Sequence, residues 1–387
     1  MPLRAKRGRA KHSRAKTTPK LQKSRATLRE TSIAALVFSV AALGTGALGT
    51  KLLKAYKKSR EPYLTQVDPE LRTWALYLPN HVISPALMLF IMGLVSKVDA
   101  IRETDRDVDI RLIDGQSPDD GHPFNARQIV PKRMLNREGG APLRPAMVWT
   151  HGGGHLIGSP GFYDPQNAQI ADELGITVFA PSYRKANQAP FPADLDDCYA
   201  LVRWVQENAE HLGVDPERIA VCGDSAGGGL AAGIIQRAID DGHPLAFQGL
   251  VYPMLDHQSG NVSSAGFDAQ HSSWGQFIWT APLNAAAWNL YLGNGHLNSE
   301  LAPYSSPLYR QDLAHCPPTW IGIGDLDLFY PEACTFAERL KEAGVPVKSV
   351  VYEGAYHGFD HLAPQAAKTA KLHADLIAAL REALQTD

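Results

Sequence analysis

The stretch IAVCGDSAGGGLAAGIIQRAIDDG, residues 219–242, constrains this chain more than any other. Its first half is an apolar run of strand length, and its second half is a small-residue, helix-forming run. Between them a serine stands in a glycine frame, Gly223-x-Ser225-x-Gly227. A strand that becomes a helix across one residue crowds its own backbone, and the glycines leave room for the turn. Such a turn lifts the Ser225 hydroxyl to the carboxyl edge of a sheet and aims helix N-terminal amides at nearby negative charge. The reading is a nucleophile on a strand–helix elbow.

The same alternation recurs along the chain. AMVWT (146–150), ITVFAPSY (176–183), QGLVYPML (248–255), TWIGIGD (319–325) and VKSVVYEG (347–354) read as strands. DLDDCYALVRWVQENAEHLG (194–213) and LHADLIAALREALQ (372–385) read as helices. Near-continuous apolar strands separated by helices predict an α/β fold with a mostly parallel central sheet covered on both faces. At 387 residues the chain can bury a large core without staples, so Cys198, Cys222, Cys316 and Cys334 are expected as reduced thiols.

Residues 149–158, WTHGGGHLIG, put three glycines after a strand. Acyl transfer passes through a tetrahedral oxyanion that needs two or three donors, and a glycine loop offers backbone N–H groups without Cβ atoms in the way. Gly152 and Gly153, with the Ala226 N–H just after the nucleophile, are the expected donors. A phosphate-binding loop is the competing explanation, but its G-x-x-x-x-G-K-[ST] pattern is absent. An acid and a base are then required after the serine. IGIGDLDLF offers Asp325 and Asp327 after one strand, and EGAYHGFD offers His357 after the next. The histidine would take the serine proton while the carboxylate fixes its tautomer.

HGGGH (151–155), GDSAGG (223–228), the Asp327–Glu332 stretch and HGF (357–359) together resemble the hormone-sensitive-lipase-like esterases of the α/β-hydrolase fold. The resemblance covers about residues 65–385. It implies Asp327 as the acid, because Glu332 then falls at the family offset, and a helical cap at about 62–100 and 257–296. It also implies a serine carboxylester hydrolase for small to medium acyl esters, working through an acyl-enzyme with no cofactor and no metal. Deacetylation or lactone opening would use the same parts, and receptors on this fold lack the histidine that His357 supplies here. By family analogy the last strand and C-terminal helix are candidate homodimer surfaces. Two departures stand out. His155 follows the glycines where relatives often carry an aromatic, and the usual Y-R-L-A-P-E segment reads Tyr183-Arg184-Lys185-Ala186-Asn187-Gln188. Trp274, Trp279 and Trp288 in the second cap segment could line a substrate cavity or pack cap on core.

Ahead of the hydrolase domain (62–387) the composition changes. Residues 1–60 hold 16 Lys/Arg against one acid, while the rest holds 22 against 39. The basic tail, residues 1–30, cannot bury a core and is expected to be disordered. It interleaves no aromatics with its charge and matches no nucleic-acid module, so no nucleic-acid partner is expected. Residues 31–50 are twenty positions without a charge, long enough to span a bilayer. Membrane association through this segment is the expectation; a cleaved signal, or a packed helix on a cytoplasmic or secreted protein, are the alternatives.

Overall fold

The computed structural model describes residues 47–77, 87, 101–135, 142–260, 273–293 and 302–386. The basic tail 1–30, residues 31–46 of the uncharged stretch and much of both expected cap segments lie outside the described residues. The chain divides into two units at Glu61/Pro62. A helix runs from Ala47 to Leu64, and among the described residues no helix is long and apolar enough to cross a membrane.

From Pro62 onward the core is one eight-stranded sheet in the order β1-β2-β4-β3-β5-β6-β7-β8. Its strands are β1 (Val108–Gln116), β2 (Pro123–Pro131), β3 (Arg144–Thr150), β4 (Thr177–Pro181), β5 (Val214–Asp224), β6 (Phe247–Val251), β7 (Thr319–Gly324) and β8 (Val347–Tyr352). β3 to β8 pair in parallel with one another. β1 and β2 run antiparallel at one edge. These two were not among the strands expected from the sequence. VDIRLIDGQ mixes charge into its apolar positions, and most of β1 is partly exposed, so it carries no buried-strand pattern. By contrast β4, β6 and β7 are buried throughout, which is what helices on both faces require.

The helices pack where the apolar faces demand. Ala226–Asp240 has twelve buried positions and lies against β5 and β6. Its glycines are there for close packing, since a Cβ on Gly229 would meet the Met254 carbonyl oxygen at 2.0 Å. The C-terminal helix starts at Ala367, five residues before the expected start, and runs to Leu384 against β5, β6 and β7. All four cysteines are free thiols. The carboxyl ends of β3, β5, β7 and β8 share one edge of the sheet, and the segments leaving them carry the glycines, Ser225, Asp327 and His357. In open α/β sheets that edge is where ligands bind.

Candidate active site

Ser225 occupies the single-residue joint between β5 and helix Ala226–Asp240, at φ 53° and ψ −122°. This is a left-handed conformation that a side chain with a Cβ rarely adopts. The surroundings hold it: its N–H donates to the Val251 carbonyl and its carbonyl accepts from the Met254 N–H, both at 2.9 Å. Gly223 and Gly227 are required by this turn. A Cβ on Gly227 would lie 2.1 Å from the Thr150 carbonyl oxygen and 2.5 Å from that of His151.

The Ser225 hydroxyl lies 2.9 Å from Nε2 of His357, whose Nδ1 lies 2.8 Å from Oδ2 of Asp327. All three side chains are buried. A carboxylate can only accept, so Nδ1 carries the proton and Nε2 presents its lone pair to the serine. Asp327 is oriented in turn by the Phe329 N–H, which donates to Oδ1 at 2.9 Å. Aromatic rings wall in the imidazole, with Tyr252 at 4.9 Å, Phe329 at 5.1 Å and Trp279 at 6.2 Å between ring centres. The neighbouring candidate Asp325 is a turn-former, accepting the Gly354 N–H at 2.7 Å. Glu332 is buried behind the acid and accepts the Leu255 N–H at 2.6 Å; burial raises its carboxyl well above the usual range.

The glycine loop requires one correction. Gly152 was expected to offer its N–H to substrate, but that group already donates to Oδ1 of Asp224 at 2.8 Å, and Gly152 is buried. Gly153, also expected, is partly exposed. The N–H groups of Gly153, Gly154 and Ala226 have no protein acceptor among the described residues. The requirement for glycine also has a different origin at each position. At 152 a Cβ would meet Oδ2 of Asp224 at 2.5 Å, at 153 the Ile157 carbonyl oxygen at 2.2 Å, and at 154 the Trp279 ring at 2.3 Å. What comes so close to this backbone is the protein itself.

Asp224 was not anticipated, although it directly precedes Ser225. Besides Gly152 it accepts the Tyr163 hydroxyl at 2.8 Å and stands 3.4 Å from Nε2 of His361. His361 is itself exposed; partial desolvation by its neighbours would lower its pKa, but the Asp360 and Asp224 carboxylates outweigh this and raise it to about 9. His155 also has a structural role of its own. It is buried at φ 60°, its Nδ1 lies 2.7 Å from Asp194, and its ring stacks on Tyr291 at 3.6 Å and 9°. Tyr291 belongs to the helix Ala281–Leu292, within the second segment expected as cap. Of the three tryptophans there, Trp279 faces the site through Gly154 and His357, while Trp288 packs beside the rings of His155 and Tyr291. Among the described residues no cluster of histidine, cysteine or carboxylate side chains has the geometry to hold a metal ion.

A buried Ser–His–Asp chain on the parallel-sheet edge beside a glycine loop defines a hydrolase of the α/β class. Residues 147–361 match the family model for the alpha/beta hydrolase fold. The protein belongs to this family, in its hormone-sensitive-lipase-like branch. It is 31% identical over 279 residues to the esterase LipI of Mycobacterium tuberculosis, covering 70% of this chain and 83% of LipI. It is 38% identical over 288 residues to the arylacetamide deacetylase of Oryctolagus cuniculus, covering 60% and 71% of the two chains. Among solved structures a bacterial heroin esterase superposes with a TM-score of 0.67 at 31% identity, over 83% of this chain and 99% of that one. The protein is a carboxylic ester hydrolase.

Proposed function

We propose that the protein hydrolyses small to medium acyl esters through an acyl-enzyme on Ser225. His357 takes the serine proton as Oγ attacks the ester carbonyl, and Asp327 stabilises the imidazolium that forms. The developing oxyanion is received by the N–H groups of Gly153, Gly154 and Ala226. His357 then gives the proton to the leaving alcohol. In the second half-reaction it deprotonates a water that attacks the acyl carbonyl, and returns that proton to Ser225 as the acid leaves. The observation that carries this reading is the continuous chain of 2.9 Å and 2.8 Å contacts from the Ser225 hydroxyl to buried Asp327.

The test is turnover of a nitrophenyl ester series, acetyl to lauroyl, by wild type and Ser225→Ala. Turnover by wild type that the variant loses supports the assignment. Turnover by both proteins sinks it, because the hydroxyl would then be dispensable. The similarity to an arylacetamide deacetylase gives a second reading, amide cleavage by the same groups, and nitroacetanilide in the same assay separates the two.

A further inference from the structure

The segment Tyr183–Gln188 departs from its family pattern, and the function proposed above leaves Lys185 unused. The structure places this lysine behind the glycine loop. Its Nζ lies 3.0 Å from Nε2 of His151, donates to the Tyr183 carbonyl at 2.7 Å, and stands 3.8 Å over the Tyr183 ring. His151 is fully buried and stacked on that same ring, with 4.3 Å between centres. On its other side, Nδ1 lies 2.8 Å from the Gly152 carbonyl oxygen.

An ammonium group donates and cannot accept, so Nε2 of His151 must be the acceptor and the ring proton must sit on Nδ1. That proton is donated to the Gly152 carbonyl. The Gly152 carbonyl and the Gly153 N–H belong to one planar peptide unit, so fixing one end fixes the direction of the other. Burial first, and then the Lys185 charge, hold the His151 pKa well below its ordinary value, which keeps the ring neutral. The opposite tautomer would turn a lone pair toward the Gly152 oxygen and release the peptide. The Tyr183 hydroxyl adds a contact 3.3 Å from Nδ1, but its own proton goes to the His151 carbonyl at 2.6 Å, so it does not select the tautomer. The loop that brings Lys185 here is fastened independently of it, by the Ala186 N–H donating to the His155 carbonyl at 2.8 Å.

We infer that Lys185 is a positioning residue: by donating to His151 it selects the tautomer that aims the Gly153 N–H at the substrate oxyanion. The inference rests on the proposed role of Gly153.

Two measurements on the full chain test it. In protein labelled with 15N-histidine, the His151 nitrogen shifts should show Nδ1 protonated in wild type and in Lys185→Arg, and lose that state in Lys185→Met. With nitrophenyl butyrate, Lys185→Met should lower kcat about tenfold with KM within about twofold, less than the ~10²–10³ lost with a whole oxyanion donor. Affinity for a trifluoromethyl ketone, which mimics the tetrahedral state, should fall by the same factor. An unchanged tautomer in Lys185→Met overturns the inference. So does a changed tautomer with unchanged kcat and inhibitor affinity, or a lowered melting temperature alone. If wild type hydrolyses no ester, the proposed function falls while the nitrogen shifts still report on Lys185.

Discussion

The nucleophile carries its own backbone strain, and that strain can be measured separately from catalysis. At φ 53° and ψ −122° Ser225 lies in a region natural to glycine and costly for any residue with a Cβ. Such positions cost on the order of 1–3 kcal/mol. Ser225→Ala keeps the Cβ and therefore the strain, while Ser225→Gly removes both. Both variants lose the hydroxyl contact to His357, so that loss cancels in the comparison. Against the relief stands the greater freedom of glycine in the unfolded chain, about 0.5–1 kcal/mol. At mid-range values Ser225→Gly should thus be more stable than Ser225→Ala by about 1 kcal/mol. In a body of this size that is a melting temperature higher by roughly 2–4 °C, measured by calorimetry at matched scan rates. Both variants should be inactive on nitrophenyl esters. A glycine variant no more stable than the alanine variant would refute the reasoning, since the elbow would then store no strain.

Two further outcomes follow from burial and close contact. Gly227→Ala drives a methyl into the Thr150 and His151 carbonyls, which belong to backbone and have no rotamer to escape into. Its melting temperature should fall by an amount matching the upper end of ~1–3 kcal/mol, with activity lost alongside. Glu332 has its pKa raised in the folded state, so between its ordinary value of 4.5 and the raised value the folded protein holds a proton the unfolded chain has released. Its contribution is complete below pH 4.5 and is lost as pH rises toward the folded value. Glu332→Gln should therefore melt progressively higher than wild type between pH 5 and pH 8, and a constant difference across that range would contradict the assignment.

The central strands of the parallel half were legible because β4, β6 and β7 are buried throughout and read as short apolar runs, while the outer β8 was legible from its Val-rich composition although most of it is partly or fully exposed. β1 was not, since Arg111 and Asp114 interrupt a strand whose exposed positions tolerate charge. Ser225, Asp327 and His357 could be ordered from sequence because each follows a strand in a parallel sheet, which brings distant segments to one edge. Gly152 was misjudged for a physical reason. Three glycines announce close approach, but sequence does not say what approaches, and at 152 the neighbour is the carboxylate of Asp224. Asp224 itself stood in plain view beside the serine. Nothing in the local pattern shows that a side chain pointing away from the nucleophile ties down the loop opposite. Long-range pairs such as His155 with Asp194 leave no local signal at all.

That last pair bears on how this enzyme could be re-engineered. His155 belongs to the glycine loop, Asp194 to the helix Ala193–Glu207, and Tyr291 to the helix Ala281–Leu292, and His155 bonds to Asp194 and stacks on Tyr291. The glycine loop beside Ser225 and the helix Ala281–Leu292 are thus pinned together through one side chain. A graft that replaces this helix without matching the residue at 155 would arrive loose at the point nearest Ser225. The natural unit of exchange is the helix together with the fifth residue of HGGGH, two stretches far apart in the gene and adjacent in the molecule.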